Sequence, residues 1–341
     1  MSRIIRETIG AHSNIYTDKG KEREILIEYS LPDCGVNNET GMLVLIPGYG
    51  GSIDSNVYRH IREEFSDKYN LIVVQCDYFG SRYMQASLSM DVKKMALDPR
   101  ILEAKILWKE DLDESLEDFN DMGIMQAVDV VTAVFFVFQK IDVINTNRVI
   151  LFGTSHGGYL AHLANVICPG VFSHMIDVSG YIKPFYLENY RMMAFDSVPG
   201  IVLEVLYDYI IRKNPEIGYW NELYKLDYLY TKIDNSCHIL SIQGTHDWMY
   251  DYREKQKFIQ TIPNAEMLLI DEEDVDGEIF KDTDHGVGLD YIKFLNMYIP
   301  VIDEQMEVCN ELLINDVVNI GEDICISYRN NRPEIEYIRF K

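Results

Sequence analysis

The sequence has few positive charges: its 341 residues include 31 lysines and arginines against 55 aspartates and glutamates, which gives a net charge of -24. A chain this acidic repels polyanions, and no run of lysine and arginine is long enough to form a local basic patch. The composition therefore predicts no nucleic-acid partner and no membrane partner.

Cysteine pairs and long apolar runs are also missing, and no secretory leader is expected. The six cysteines occur singly with no C-x-x-C pair, which argues against a zinc knuckle or a disulfide framework. The N-terminal MSRIIRETIGAHSN lacks the apolar core of a secretory signal. The most apolar stretch, MQAVDVVTAVFFVFQ, is interrupted by Asp129 and is too short to span a bilayer. These absences predict reduced thiols in a cytoplasmic protein.

Strand-like and helix-like segments alternate along most of the chain. Short apolar runs rich in β-branched residues are bounded by turn residues, and segments with helical spacing lie between them. Runs of this kind are GMLVLIPGYGG, YNLIVVQCDYFG, NRVILFG, SHMIDVSGY, CHILSIQGTHD and AEMLLIDEED. REILIEYSLP instead alternates polar and apolar residues, as an antiparallel edge strand would. The predicted fold class is α/β, with a mostly parallel central sheet flanked by helices.

Two segments depart from this alternation. From about residue 182 to 235 the sequence is rich in tyrosine and has helical periodicity, which predicts a helical cap inserted into a domain of residues 1–300. Its Tyr207, Tyr224 and Tyr228 either pack the cap onto the domain or line a surface for sugar or aromatic ligands. Residues 301–341 hold three strand-like runs separated by NIGE and RNNRP, which predict a small β-rich C-terminal extension. That extension either covers the sheet or pairs subunits in a homo-oligomer through a strand edge.

One motif carries chemistry. In VILFGTSHGGYLAHLA, residues 153–157 spell G-x-S-x-G between a predicted strand and a predicted helix. A nucleophile elbow needs this arrangement, because the sharp turn presents the hydroxyl of Ser155 above the sheet and aims the amides of the helix N-terminus at the site. The alternatives are a purely structural turn and a phosphate-binding loop, and the latter would need a lysine that does not follow here.

A serine hydroxyl needs a base and an orienting acid before it can attack a carbonyl carbon. Asp247 stands in SIQGTHDWMYD just after a predicted strand, and His285 stands in FKDTDHGVGLDY before a predicted helix. The order serine, acid, histidine is that of one hydrolase architecture. Asp247 could instead cap the helix that follows it, and Asp251 and Asp284 are rival acids.

A metal site is an alternative interpretation of the same region, with less support from the sequence than the triad has. Asp282, Asp284, His285 and His246 are residue types that bind divalent ions, but no H-E-x-x-H or similar spacing supports such a site. The sequence therefore predicts no metal and no cofactor.

These motifs resemble the α/β-hydrolase superfamily, most closely its bacterial esterases and prolyl-oligopeptidase-like serine hydrolases. The resemblance rests on GTSHGGYLA, GTHD and DTDHG, and it covers about residues 43–299 in organisation. It implies Ser155 as the nucleophile, Asp247 as the orienting acid and His285 as the general base.

The resemblance also implies an oxyanion hole. LVLIPGYGG stands where such enzymes place their oxyanion loop, so the backbone amides of Tyr49 and His156 are the implied donors. Pro47 stands where many esterases carry histidine, which leaves Gly50 as an alternative to Tyr49.

The expected function is hydrolysis of a small-molecule carboxylic ester, such as an acylated sugar, through an acyl-enzyme. Two alternatives are cleavage of short peptides, as in prolyl-oligopeptidase-like enzymes, and a catalytically silent hydrolase fold that serves as a binding module.

Overall fold

The computed structural model describes residues 2–15, 22–81, 84, 106–113, 123–141, 143–184, 191–198, 201–208, 223–304, 309, 317–329 and 332–338. Its strands are β1 (Arg3–Ala11), β2 (Arg23–Leu31), β3 (Gly41–Ile46), β4 (Leu71–Cys76), β5 (Ile106–Asp113), β6 (Val149–Thr154), β7 (His174–Val178), β8 (Arg191–Val198), β9 (Ile201–Asp208), β10 (His238–Gly244), β11 (Ala265–Ile270), β12 (Val317–Ile320), β13 (Ile324–Arg329) and β14 (Arg332–Ile338). Its helices are α1 (Asn56–Tyr69), α2 (Ile124–Lys140), α3 (His156–Ile167), α4 (Leu226–Tyr230), α5 (Tyr252–Ile259) and α6 (Tyr291–Asp303).

The central sheet has eight strands in the order β1-β2-β4-β3-β6-β7-β10-β11. The pairs β1/β2 and β2/β4 are antiparallel, whereas the strands β4, β3, β6, β7, β10 and β11 run parallel to one another. This confirms the predicted α/β class. Because the parallel strands share one direction, their carboxyl ends meet along a single edge, where ligand sites of open α/β sheets form.

The strands in the middle of the sheet are apolar throughout because helices cover both faces. All six residues of β3, of β4 and of β6 are buried. In β3, Leu43 and Leu45 pack with α1 and α6, whereas Met42 and Val44 pack on the opposite face with α2 and α3. A continuous apolar run is therefore the sequence signature of these central strands.

The antiparallel side of the sheet differs from the prediction for REILIEYSLP. That segment is β2 and is antiparallel, but β1 pairs along it and forms the edge, so β2 is the second strand. The polar residue in the middle of β2, Glu28, is buried rather than solvent-facing, because Arg62 of α1 lies 2.5 Å from its carboxylate. Burial of Glu28 is tolerated because Arg62 neutralises its charge, and this buried polar residue gives β2 the alternating pattern of an edge strand.

Two of the described runs of the insert, β8 and β9, are strands and not the predicted helices. β8 and β9 pair antiparallel and join β5 in a three-stranded sheet, so these two runs are strands where the sequence predicted helices. IVLEVLYD is rich in β-branched residues, and a Pro-Gly pair, a turn-forming dipeptide, stands between the two strands in sequence. Helix α4 is the helical part described, while residues 185–190 and 209–222 lie outside the described ranges. Tyr224 is buried and the hydroxyl of Tyr228 donates to Asp323, which favours packing for both.

The C-terminal strands β12, β13 and β14 form the expected small antiparallel sheet. Ile320, Ile324 and Ile326 belong to the same apolar cluster as α2 and α3. The hydroxyl of Tyr328 donates to the carbonyl of Ile167 at the end of α3, at 2.8 Å. The sheet therefore covers the outer side of the helical layer.

No helix within the described ranges is long and apolar enough to cross a membrane. The most apolar of them, α2, contains the fully buried Asp129, whose carboxylate lies 2.5 Å from Arg23 and accepts the amide of Phe79 at 2.8 Å. A charged residue in an apolar helix is tolerated here because both its oxygens have donors.

Candidate active site

Ser155 occupies a strained turn between β6 and α3. Its φ of 53° and ψ of -119° lie outside the regions that most residues adopt, a conformation that persists only where the surroundings impose it. The glycines on either side allow the close packing that the turn requires. A Cβ on Gly153 would lie 2.2 Å from the carbonyl oxygen of Gly157, and a Cβ on Gly157 would lie 2.0 Å from that of Ile46. The G-x-S-x-G pattern is therefore a steric requirement of the strand-turn-helix junction.

The structure brings Ser155, His285 and Asp247 together. The Nε2 atom of His285 lies 2.7 Å from the hydroxyl oxygen of Ser155, and its Nδ1 atom lies 2.9 Å from Oδ2 of Asp247. β6, β7, β10 and β11 are consecutive in the sheet, so the loops that follow β10 and β11 reach the elbow after β6. A carboxylate only accepts, so Nδ1 carries the proton, which leaves Nε2 to accept from the serine hydroxyl.

The carboxylate of Asp247 is held from four directions. Besides His285, its Oδ2 accepts from the side-chain amide of Gln243 at 2.6 Å. Its Oδ1 accepts from the backbone amides of Met249 at 2.8 Å and Tyr250 at 3.2 Å. The Asp247 side chain is fully buried and that of His285 is only 15% exposed, so these contacts fix the orientation of both groups. Sequence reasoning missed Gln243, whose only signal is a polar residue near the end of an apolar strand.

The rival acids Asp251 and Asp284 have other surroundings. Asp251 is the cap of α5, where its side chain accepts from the amide of Arg253 at 2.9 Å, so the capping role considered for Asp247 falls to Asp251. Asp284 is exposed, and its backbone amide donates to Asp282 at 3.0 Å. His246 is exposed, with Nδ1 2.9 Å from the hydroxyl of Thr283. Within the described part of the chain, no group of three or more His, Cys, Asp or Glu side chains could hold a metal ion.

The turn of residues 47–51 lies beside the serine. A Cβ on Gly48 would stand 3.4 Å from Cβ of Ser155, so the chain that leads into Tyr49 passes directly against the nucleophile candidate. His156 is the first residue of α3, at the end of the helix where backbone amides point outward. Both positions suit the amide roles expected of Tyr49 and His156, which stay predictions.

The imidazole of His156 is hydrogen-bonded to residues outside the triad. It is buried, with Nε2 2.6 Å from the side-chain oxygen of Gln126 and Nδ1 hydrogen-bonded to the hydroxyl of Tyr181. The side-chain amide nitrogen of Gln126 donates to the carbonyl of Phe79, so the side-chain oxygen of Gln126 faces His156 and accepts from it. The proton of the His156 imidazole is therefore on Nε2. The ring therefore anchors the first turn of α3.

A turn after β7 connects the serine and histidine loops. The amide of Ser155 donates to the carbonyl of Val178 at 2.7 Å, and the hydroxyl of the next residue, Ser179, accepts the amide of Gly286 at 2.9 Å. Ser179 has a φ of 53°, an uncommon conformation for a residue with a side chain. Gly286 follows His285, so two adjacent residues, the last of β7 and the one after it, contact both reacting loops. Nothing in the sequence marks Ser179 for this role.

A fully buried ion pair lies under that turn. Nζ of Lys255 is 2.5 Å from Oδ2 of Asp177 and donates to the carbonyl of Gly180 at 2.5 Å, while Oδ1 of Asp177 accepts the Gly180 amide at 2.9 Å. Burial raises the pKa of Asp177, but Lys255 and the hydrogen bond from His162 outweigh it, so the pKa lies well below the usual range. Burial lowers the pKa of His162 against the pull of Asp177, so a neutral His162 donates from Nε2 to the carboxylate at 3.1 Å.

Replacing Lys255 should lower the free energy of unfolding of the protein. Lys255→Met leaves the carboxylate of Asp177 buried without its counter-charge, a change that costs about 3–5 kcal/mol in comparable pairs. The measurement is the free energy of unfolding from urea titration. Lys257→Met on the same helix is the matched control, because Lys257 is exposed and should shift stability by no more than about 0.5 kcal/mol. Equal effects of the two substitutions would contradict the assigned role of the pair.

The three triad residues lie inside segments shared with a protein family. The family described as "Protein of unknown function (DUF2920)" matches residues 84–191 and 222–329, which is well over half of the chain. The chain belongs to this DUF2920 family. Ser155, Asp247 and His285 all fall within the matched segments. No curated protein matches the chain.

Solved structures with similar folds share the α/β-hydrolase architecture. A protein from Agrobacterium vitis S4 described as a hydrolase aligns over 88% of this chain and 99% of its own, with 15% identity and a TM-score of 0.54. The acylaminoacyl peptidase of Pyrococcus horikoshii aligns over 91% of this chain and 43% of its own, with 12% identity and a TM-score of 0.54. A protein from Bacteroides ovatus ATCC 8483 described as a dipeptidyl aminopeptidase IV aligns over 90% and 36%, with 15% identity and a TM-score of 0.53. This DUF2920 protein therefore has the α/β-hydrolase fold.

Proposed function

We propose that this DUF2920 protein is a serine hydrolase that cleaves carboxylic esters through an acyl-enzyme on Ser155. The observation that carries the proposal is the unbroken chain of hydrogen bonds from Ser155 to His285 to Asp247, at 2.7 Å and 2.9 Å, on a strained elbow. A structural turn needs the glycines but has no need of a histidine aimed at its serine.

The first half-reaction transfers the acyl group to the protein. Nε2 of His285 takes the proton of Ser155 while the serine oxygen attacks the ester carbonyl carbon. The carbonyl oxygen becomes an oxyanion, for which we propose the backbone amides of Tyr49 and His156 as donors. Collapse of the tetrahedral species breaks the bond to the alcohol oxygen, which leaves with the proton that His285 carries.

Water completes the cycle. His285 takes a proton from water as the water oxygen attacks the acyl carbon, and the second collapse releases the acid and returns the proton to Ser155. Asp247 stays ionised throughout and stabilises the imidazolium that forms twice in each cycle. These steps involve no cofactor.

The proposed substrate is an uncharged small-molecule ester. An alkoxide leaves with little assistance, whereas an amine must be protonated as the bond breaks, so the same site cleaves esters more readily than amides. The net charge of -24 disfavours anionic substrates. Four of the six free cysteines are buried, which suits reduced thiols and a cytoplasmic site of action.

Matched substrates test the ester assignment against the peptidase alternative. Purified protein should cleave p-nitrophenyl acetate and an acetylated methyl glucoside, and it should cleave an aminoacyl p-nitroanilide no faster than the Ser155→Ala blank does. Cleavage of the anilide clearly above the blank would overturn the ester assignment in favour of a peptidase. Equal rates in the wild type and the blank would favour a binding module.

A further inference from the structure

An exposed tryptophan stands next to the acid of the site. Trp248 is 68% exposed, which makes it the most exposed large hydrophobic side chain in the described ranges. It directly follows Asp247, and its ring centroid lies 6.3 Å from that of His285 with the two planes inclined at 59°. An indole in water beside reacting groups gains favourable burial when a ligand covers it.

The backbone that carries Trp248 is held in place before any ligand arrives. Oδ1 of Asp247 accepts the amides of Met249 and Tyr250, so the carboxylate folds the chain around the tryptophan. A tryptophan side chain has only two rotatable bonds, so little conformational entropy is lost when it is immobilised. The same carboxylate orients His285, which ties the position of the indole to that of the base.

We propose that Trp248 is the stacking surface for an uncharged ring, aromatic or pyranose, in the ester that Ser155 cleaves. The inference rests on the proposed function and adds its substrate class. Nε2 of His285 is 2.7 Å from the Ser155 hydroxyl, so a ring lying on Trp248 and touching His285 belongs to a group close to the scissile bond. Asp284, the exposed residue that directly precedes His285, disfavours an anionic ring.

Kinetics on paired substrates test this role. The ratio of kcat/KM for a ring-bearing ester, phenyl acetate or an acetylated methyl glucoside, to that for the ring-free propyl acetate should fall about tenfold in Trp248→Ala. Trp248→Phe should restore most of the ratio. Met297→Ala is the control: it removes an exposed hydrophobic side chain elsewhere, on α6, and should leave the ratio unchanged. An unchanged ratio in Trp248→Ala would overturn the proposal. A larger loss with the glucoside would identify a sugar ring, and a larger loss with phenyl acetate an aromatic one.

Binding without turnover separates this proposal from the catalytic one. In the Ser155→Ala background, the Kd of phenyl acetate or of the acetylated methyl glucoside should rise about tenfold when Trp248→Ala is added. Such a rise would support the ring site even if the wild-type protein cleaved no ester and the catalytic proposal failed. An unchanged Kd for both probes would overturn the ring site even if esters are cleaved.

Discussion

Replacing Ser155 with alanine should lower kcat on p-nitrophenyl acetate by about 10⁴- to 10⁶-fold while leaving the unfolding transition near its wild-type position. The substitution removes the atom that forms the acyl-enzyme, and only residual stabilisation of the oxyanion by backbone amides persists. Steady-state rates, with circular dichroism to verify the fold, measure the effect.

Ser155 and His285 act together in one proton transfer, so removing either one removes most of the catalytic effect of both. His285→Ala should therefore be nearly as damaging as Ser155→Ala, and the double variant should be no slower than the worse of the two. A Ser155→Ala protein within about tenfold of the wild type, or single losses that multiply in the double variant, would contradict a shared mechanism.

Asp247→Asn should lower kcat by about 10⁴-fold without loss of the fold. The carboxylate accepts from Nδ1 of His285, whereas an amide can donate there and favour the tautomer that protonates Nε2. With a proton on Nε2, the imidazole cannot accept from the serine. The same steady-state assay measures the loss.

Two nearby carboxylates provide matched controls for this substitution. Asp251→Asn changes the cap of α5, and Asp284→Asn changes an exposed side chain, so both should stay within a few-fold of the wild type. A damaging Asp284→Asn beside a silent Asp247→Asn would show that the acid is assigned to the wrong residue.

The sequence predicts the parts of this architecture whose cause is local. Central parallel strands such as β3 and β6 are buried on both faces, so continuous apolar runs identify them. The elbow was predictable because its five-residue pattern is contiguous in the sequence, although one of its glycines, Gly157, packs against Ile46 of the neighbouring β3. Asp247 and His285 were candidates because each follows a strand that ends at the site edge, and their order along the chain suits one hydrolase architecture.

What escaped prediction depends on partners distant in the chain. Ser179 supports the His285 loop through an amide 107 residues away, and Lys255 pairs with Asp177 across two separate segments. Neither residue stands in a motif. β8 and β9 were expected as helices because their apolar spacing is ambiguous, and the pairing with β5 that decides between strand and helix is non-local. Strand β1 was missed for the same reason, since it exists only by pairing with β2.

The central claim is that His285 activates Ser155, and a serine-directed fluorophosphonate probe tests it most directly. Peptide mapping of labelled wild-type protein should find a single adduct, on Ser155. The adduct should be absent from Ser155→Ala and should form far more slowly in His285→Ala, because the hydroxyl then has no base. An adduct on another residue, or no adduct on protein whose fold is verified by circular dichroism, would contradict the account.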